Sequence, residues 1–432
     1  MNPLSSLSLD RVEFVLLSLE GPDQYSFVGG LGVRVTELSH HLASLGYRTR
    51  LYFVGDPQRP FYEELEGGLL SYHRWCQWIS SHHPNGVYHG EEVKVSDFSQ
   101  SVPTHIEETV LIPNAERNVT TVVLAEDWHT AQAATQVAQA AFRRGLGNHL
   151  LVFWNANSIF GFERIDWQAL RQACAITTVS RYMKHRMWEL GVNPLVIPNG
   201  IPRRWLDPPD LSVGHSLREV FPGLLLAKVG RYHPDKRWLM ALDAVGEMKR
   251  LGMAPKLLVR GANEPYRLPI TQRAWEQGLV WSEVKVEDPT PASILAELAQ
   301  HKEADILELS FFVPEHFLKS VYASVDAVLA NSGHEPFGLV GLEVMATGGI
   351  AFVGSTGEDY AQSFVNCVVI DSEDAREVTI YIKSILADAE AVGNLRARAQ
   401  LTASSFLWEI VTEELFRKLQ FVASIRGVEL TS

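Results

Sequence analysis

Short apolar strands and amphipathic helices alternate along almost the whole chain. The pattern predicts strands in two series, with helices between them: Val12–Leu19, Thr49–Val54, Thr120–Ala125, Leu150–Trp154 and Ala175–Val179, then Leu224–Val229, Lys256–Arg260, Ala327–Ala330 and Gly349–Val353. Such alternation is typical of parallel sheets, because consecutive parallel strands need a crossover connection that is usually a helix. A chain of 432 residues is also too long for one ordinary core. The sequence therefore predicts an α/β protein of two Rossmann-like domains.

The two series are separated by a stretch that is rich in proline. Pro198, Pro202, Pro208 and Pro209 fall within twelve residues, which is typical of a linker. We therefore predict an N-terminal domain over residues 1–200 and a C-terminal domain over residues 215–404. Within the first domain, residues 62–108 scatter aromatic side chains without a clear period, which predicts an irregular insertion beside the first sheet.

Charge and cysteine content limit the possible partners. The formal net charge of −13 argues against nucleic acid as a partner, and no apolar run is long enough for stable insertion into a membrane. Cys76, Cys174 and Cys367 lie far apart, form no CxxC pair and suit the reducing cytoplasm. We expect a cytoplasmic protein without a zinc site.

Three clusters in the sequence suggest binding of an anion and of hydroxyl groups. The first is a glycine cluster, Gly29 to Gly32, directly ahead of a predicted helix, where Gly29 and Gly30 leave backbone amides open to a phosphate. A plain tight turn is the alternative. Val35 occupies the last position of a GxGxxG pattern, which disfavours an enzyme that uses NAD.

The second cluster follows the first strand of the second series. Arg231 and Lys236 lie five residues apart on a loop at the carboxyl end of that strand, where open α/β sheets bind ligands. Two cations at this place suit a diphosphate. Two solvated surface charges would give the same pattern.

The third cluster runs from Glu335 to Glu343 and contains a predicted helix start. Gly338 and Leu339 supply amides that can receive a phosphate oxygen. Carboxylates suit sugars because one pair of oxygens accepts two hydroxyl hydrogen bonds, which makes Glu335 and Glu343 candidates for sugar and ribose contacts. The alternative is that both are acids favoured near a helix N-terminus by its dipole.

Taken together in this order, the three clusters resemble those of the GT-B retaining glycosyltransferases, especially glycosyltransferase family 4 and the starch and glycogen synthases. The residues Phe406-Leu407-Trp408-Glu409, which open the predicted final helix, extend the resemblance over nearly the whole chain. The resemblance implies a GT-B fold in which two Rossmann-like domains face a central cleft. It also implies that a C-terminal helix, within residues 405–425, crosses back to the N-terminal domain.

The resemblance also implies roles for individual residues. Arg231 and Lys236 would stabilise the leaving diphosphate, and Glu335 would contact the donor sugar. Glu343 would bind the ribose. The amides near Gly29, Gly30, Gly338 and Leu339 would bind phosphate.

A fourth stretch, Glu126-Asp127-Trp128-His129-Thr130, is similar to the HDWHT motif of the starch synthases. Glu126 replaces the histidine that lies near the reacting carbon in the family, so its catalytic role is an expectation with helix capping as the alternative. Phe27 replaces a lysine of the bacterial glycogen synthases, which favours an acceptor other than glycogen. His129, Asn155 and Asn157 are the expected acceptor or sugar contacts.

The expected function is transfer of a hexosyl group, glucose or mannose, from a nucleotide sugar to a soluble hydroxyl acceptor, with retained anomeric configuration. No D-x-D pair occurs in the sequence, so we expect neither a metal nor another cofactor. A transferase with a lipid-linked acceptor and a GT-B sugar-nucleotide epimerase remain alternatives, as does a binding protein that senses a nucleotide sugar without turnover.

Overall fold

The computed structural model describes residues 7–261 and 266–431, and it divides into two units. One unit comprises Met1–Gly200 with Trp408–Ser432, and the other comprises Ile201–Leu407. No helix in the described part of the chain is both long and apolar enough to cross a membrane.

The first unit contains an eight-stranded sheet in the order β3-β4-β2-β1-β5-β6-β7-β8, in which only β3 is antiparallel to its neighbour. Its strands are β1 Val12–Leu17, β2 Arg48–Val54, β3 Tyr62–Leu65, β4 Leu70–Trp75, β5 Thr120–Glu126, β6 Leu150–Ala156, β7 Ala175–Thr178 and β8 Leu195–Val196. Its first seven helices are α1 Gly30–Ser44, α2 Gln77–His82, α3 Glu91–Ile106, α4 Ile112–Glu116, α5 Trp128–Arg143, α6 Trp167–Ala173 and α7 Arg181–Trp188. Strands β1, β5 and β6 are buried along their whole length, which explains their nearly continuous apolar sequence.

The second unit contains a seven-stranded, fully parallel sheet in the order β11-β12-β10-β9-β13-β14-β15. Its strands are β9 Leu225–Val229, β10 Lys256–Arg260, β11 Trp281–Val284, β12 Ile306–Leu309, β13 Ala327–Ala330, β14 Ala351–Val353 and β15 Val368–Val369. Its helices are α8 Leu211–Val220, α9 Trp238–Arg250, α10 Arg267–Glu276, α11 Pro291–Gln300, α12 Glu315–Ser324, α13 Leu339–Ala346, α14 Ala375–Ala387 and α15 Ala389–Ser404. In both units the first strand pairs with a later strand on each side, as in Rossmann-like sheets.

The final helix, α16 Trp408–Arg426, packs on the core of the first unit. The ring of Phe416 stacks on Phe14 with centroids 6.1 Å apart and meets Tyr47 edge-on at 5.4 Å. The predicted return of this helix to the N-terminal domain is confirmed.

The prediction of an irregular insertion over residues 62–108 is wrong. This segment forms β3 and β4, which extend the first sheet, followed by α2 and α3. Its aromatic residues have no helical or strand period because they pack against distant partners. The ring of His73, for example, stacks on Tyr52 in β2 with centroids 4.3 Å apart.

Candidate active site

In the second unit, two loops at the carboxyl edge of the sheet bring a lysine and a glutamate together. The loop that follows β9 carries Lys236, and the loop that follows β13 carries Glu335. The Nζ of Lys236 donates a hydrogen bond to the Glu335 carboxylate, and both side chains remain partly exposed. The backbone N–H of Gly333 donates to the carbonyl oxygen of Asp235 at 2.6 Å, which joins the two loops directly.

The surroundings of Glu335 keep its carboxylate charged. Burial alone would raise the pKa of Glu335, but the adjacent Lys236 ammonium and, more weakly, Arg231 lower it below its ordinary value. The Glu335 N–H donates to the Thr356 Oγ1 at 2.8 Å, and that hydroxyl donates back to the Glu335 carbonyl oxygen at 3.1 Å. Glu335 is therefore an ionised side chain on a fixed backbone.

Helix α13 begins beside this ion pair. Gly338 is its N-cap residue, with a φ of +82° that favours glycine, and Leu339 is its first helical residue. The first amides of a helix have no partner within the helix, so they are available to an anion. Glu343 lies one turn further on and is half-buried. The C-terminal unit thus places Lys236, Glu335 and the start of α13 together, with Arg231 on the same loop as Lys236 and Glu343 within α13. The roles of these residues toward the donor remain predictions.

In the first unit, a carboxylate of the chain itself occupies the amides of the glycine cluster. The Oε2 of Glu20 accepts the N–H of Gly29 at 3.0 Å and that of Gly32 at 2.9 Å, and its Oε1 accepts the hydroxyl of Tyr88. Glu20 is buried and directly precedes the long turn that leads to α1, which begins at Gly30. Phosphate binding by Gly29 and Gly30 remains a prediction, and at Gly29 a phosphate would compete with Glu20.

Glu126 lies at the end of β5, is buried, and has both carboxylate oxygens hydrogen-bonded. The Nε of Arg34 lies 3.1 Å from both of its carboxylate oxygens, and the Nδ2 atoms of Asn155 and Asn157 donate to its Oε2 at 2.8 and 2.7 Å. The Oγ1 of Thr177 in β7 donates to the Oδ1 of Asn155 in β6 at 2.9 Å, so the hydrogen bonds extend from β5 to β7. The structure thus places Glu126, Asn155 and Asn157 together. The Glu126 carboxylate accepts hydrogen bonds from Arg34 and from both asparagines.

His129 is the second residue of α5 and is buried. Its Nε2 lies 2.7 Å from the Glu91 carboxylate, and its ring packs on Trp128 with centroids 4.2 Å apart. Asp127, the residue before this helix, accepts the Asn157 N–H at 2.7 Å. Burial, and then the charge of Glu126, raise the pKa of Asp127 to about 7.

The comparison with protein families identifies the second unit. Residues 222–402 match the family model described as Glycosyl transferases group 1. The second unit is a group 1 glycosyltransferase domain, and the enzyme is a glycosyltransferase.

Solved structures share the fold of this glycosyltransferase over nearly its whole length. A sucrose-phosphate synthase from Thermosynechococcus elongatus is 16% identical with a TM-score of 0.69, and covers 96% of this chain and 100% of its own. The catalytic domain of starch synthase IV from Arabidopsis thaliana, bound to ADP and acarbose, is 14% identical with a TM-score of 0.68, covering 96% and 99%. HepE from Anabaena, in complex with UDP-glucose, is 16% identical with a TM-score of 0.64, covering 94% and 99%. No curated protein sequence matches the chain.

Within residues 7–261 and 266–431, the glycosyltransferase has no group of three or more His, Cys, Asp or Glu side chains that could hold a metal ion. Its independence of metal remains a prediction.

Sequence reasoning missed the partners of the charged residues. Four of the residues that contact the predicted site belong to no motif: Glu20, Arg34, Thr356 and Glu358. Each of them contacts a residue that is distant in the sequence. The only signal for Glu20 is its place directly after the predicted strand Val12–Leu19, where a buried charge needs a partner.

Proposed function

We propose that this glycosyltransferase moves a hexosyl group from a nucleotide sugar to a hydroxyl of a small molecule or saccharide, with retained anomeric configuration and without a metal ion. The observation that carries the proposal is the cluster at the carboxyl edge of the second sheet. There, Lys236, Glu335 and the first amides of α13 lie side by side within the group 1 domain. The UDP-glucose bound by HepE and the ADP bound by the starch synthase support a nucleotide donor.

The charges of this cluster fit the charges that develop as a glycosidic bond breaks. Departure of a nucleoside diphosphate leaves negative charge on its β-phosphate and positive character on the sugar ring. Fixed cations and amides stabilise the first, and a carboxylate stabilises the second. We assign the diphosphate to Arg231, Lys236 and the amides of Gly338 and Leu339, and the sugar to Glu335. Glu343, deeper in α13, is assigned to the ribose.

The test is incubation of the purified chain with UDP-glucose, ADP-glucose and GDP-mannose, each with and without a panel of hydroxyl acceptors. We expect one donor to release its nucleoside diphosphate, faster with an acceptor present, and the product to keep the anomeric configuration of the donor by proton NMR. Conversion of the donor to an epimer without any acceptor would identify an epimerase instead. An inverted product would contradict the proposed retention.

We expect the transferase activity to persist in excess EDTA. The fixed positive charges of Arg231 and Lys236 take the place of a metal ion at the diphosphate, so removal of free divalent cations should leave the rate unchanged. Initial rates with EDTA, and with EDTA followed by excess magnesium or manganese, are the measurement. A rate that is lost with EDTA and restored by either metal would contradict this account of the leaving group.

A further inference from the structure

A second carboxyl group lies buried beside Glu335. Glu358 belongs to the loop that follows β14, and only 6% of it is exposed. This loop packs on the loop that carries Glu335 so closely that a Cβ on Gly357 would overlap the carbonyl oxygens of Glu335 and Pro336. The Glu358 Cγ lies 2.8 Å from the place that a Cβ on Gly338 would take, at the start of α13. Glu358 therefore borders the proposed diphosphate site.

The hydrogen bonds of Glu358 do not suit a charged carboxylate. Its Oε2 accepts the N–H of Thr356 at 3.1 Å, whereas its buried Oε1 has no hydrogen-bond partner among the residues that the structure describes. An ionised carboxylate with an unpaired oxygen, next to a second carboxylate, would carry a large desolvation and repulsion cost, which protonation removes. The titratable groups that interact with it are Glu335, Lys236, Tyr360 and Cys367.

The neighbouring charges agree with a protonated group. Burial, and then the charge of Glu335, raise the pKa of Glu358 from the ordinary 4.5 to about 8, while Lys236 opposes the shift. The hydroxyl of Tyr360 donates to the Gly338 carbonyl oxygen at 2.5 Å, and burial keeps the pKa of Tyr360 well above its ordinary value. Lys236 is therefore the only cation among these four groups, and it is already paired with Glu335.

We propose that Glu358 is a positioning residue that stays uncharged at neutral pH, so that no second buried negative charge lies beside Glu335 when a donor diphosphate binds. The inference rests on the proposed function. When Glu358 loses its proton, a second negative charge appears beside Lys236 and the start of α13. That charge repels the diphosphate and draws Lys236 away from it.

The protonation of Glu358 also makes the stability of the folded chain depend on pH. In the folded chain Glu358 keeps its proton up to about pH 8, whereas in the unfolded chain the carboxyl group ionises near its ordinary pKa of 4.5. Its contribution to the free energy of unfolding is therefore fully present below about pH 4.5 and is lost as the pH rises to about 8. Glutamine resembles the protonated acid at every pH, so Glu358→Gln should gain in Tm over the wild type across this window.

The experiment uses the full chain as wild type, Glu358→Gln and Glu390→Gln, the last being an exposed acid on α15 of the same unit. Calorimetric titration with UDP, ADP and GDP at about pH 6.5 and about pH 9.5, on either side of the pKa of about 8, gives the affinities, and thermal unfolding at the same values gives Tm. We expect the wild type and Glu390→Gln to bind their preferred nucleotide about tenfold more weakly at the higher pH, relative to Glu358→Gln. We expect all three to bind it alike at the lower pH.

The outcomes separate this inference from the proposed function. If a nucleotide binds, but affinity and Tm depend on pH identically in Glu358→Gln and the wild type, Glu358 is not the titrating group and this inference alone fails. If none of the three nucleotides binds the wild type at either pH, the proposed function fails and takes this inference with it. A Tm difference that grows with pH, together with the difference in affinity, supports the inference.

Discussion

Replacing Glu335 by glutamine is expected to lower kcat by about ten- to a thousandfold, the range of a lost charged hydrogen bond of roughly 1.5–3 kcal/mol or somewhat more. The carboxylate is ionised by its pairing with Lys236, and its backbone is held by Thr356. We assign it to the transferred sugar, whose ring gains positive charge only as the glycosidic bond breaks. An interaction that strengthens in the transition state acts on kcat.

The matched comparison is Glu343→Gln, eight residues further along the same segment. The ribose changes little during the reaction, so loss of Glu343 should weaken the ground state and the transition state together. Donor KM should rise with a smaller effect on kcat, and the free nucleoside diphosphate should bind poorly. Glu335→Gln should bind that product at least as tightly as the wild type, because it removes a negative charge beside Lys236. If steady-state kinetics and product binding cannot distinguish the two variants, or leave both near wild type, the two glutamates are structural acids and the site assignment fails.

Replacing Glu126 by glutamine is expected to lower the free energy of unfolding by about 3–5 kcal/mol. Only 1% of Glu126 is exposed, and its charge compensates that of the buried Arg34. Glutamine keeps the shape of the side chain but leaves the Arg34 guanidinium buried without a counter-charge. Urea unfolding, followed by circular dichroism, gives the difference in free energy.

The matched control for Glu126 is Glu92→Gln, in which an exposed carboxylate 3.6 Å from Arg164 loses its charge. A surface pair of this kind contributes little, so the control should unfold like the wild type. If Glu126→Gln also unfolds like the wild type but loses its transferase activity, Glu126 acts in catalysis, as the resemblance to the starch synthases implies. The account of a structural ion pair would then be wrong.

The sequence predicted the strands and helices whose apolar patterns lie within their own residues. Strands such as Val12–Leu17 carry an apolar run that only Glu13 interrupts, and the final helix carries an amphipathic pattern with a recognisable opening. The proximity of Lys236 and Glu335 was predictable for a related reason. The carboxyl ends of parallel strands meet at one edge of a sheet, so the loops after β9 and β13 had to lie near each other.

What the sequence did not predict are pairings between distant residues. Nothing local marks Arg34 as the partner of Glu126, which lies 92 positions away. The strands β3 and β4 were missed because their aromatic side chains pack on other elements: those of β4 pack on β2 and α3, and Tyr62 of β3 packs on β4. Glu358 lies in a loop, where an acid is normally solvated, but this loop packs closely on the loop of Glu335 and Glu358 is buried.

The most direct test of the central claim, that the C-terminal unit holds the donor, is backbone hydrogen exchange of the full chain with and without the nucleoside diphosphate that binds best. We predict that exchange slows at residues 230–237 and 333–343, where the loops and the first amides of α13 would contact the diphosphate. The amides of Gly29 and Gly32 already donate to Glu20, so we expect little change there. Protection at residues 29–32 and 126–129, with unchanged exchange at residues 230–237 and 333–343, would contradict the account.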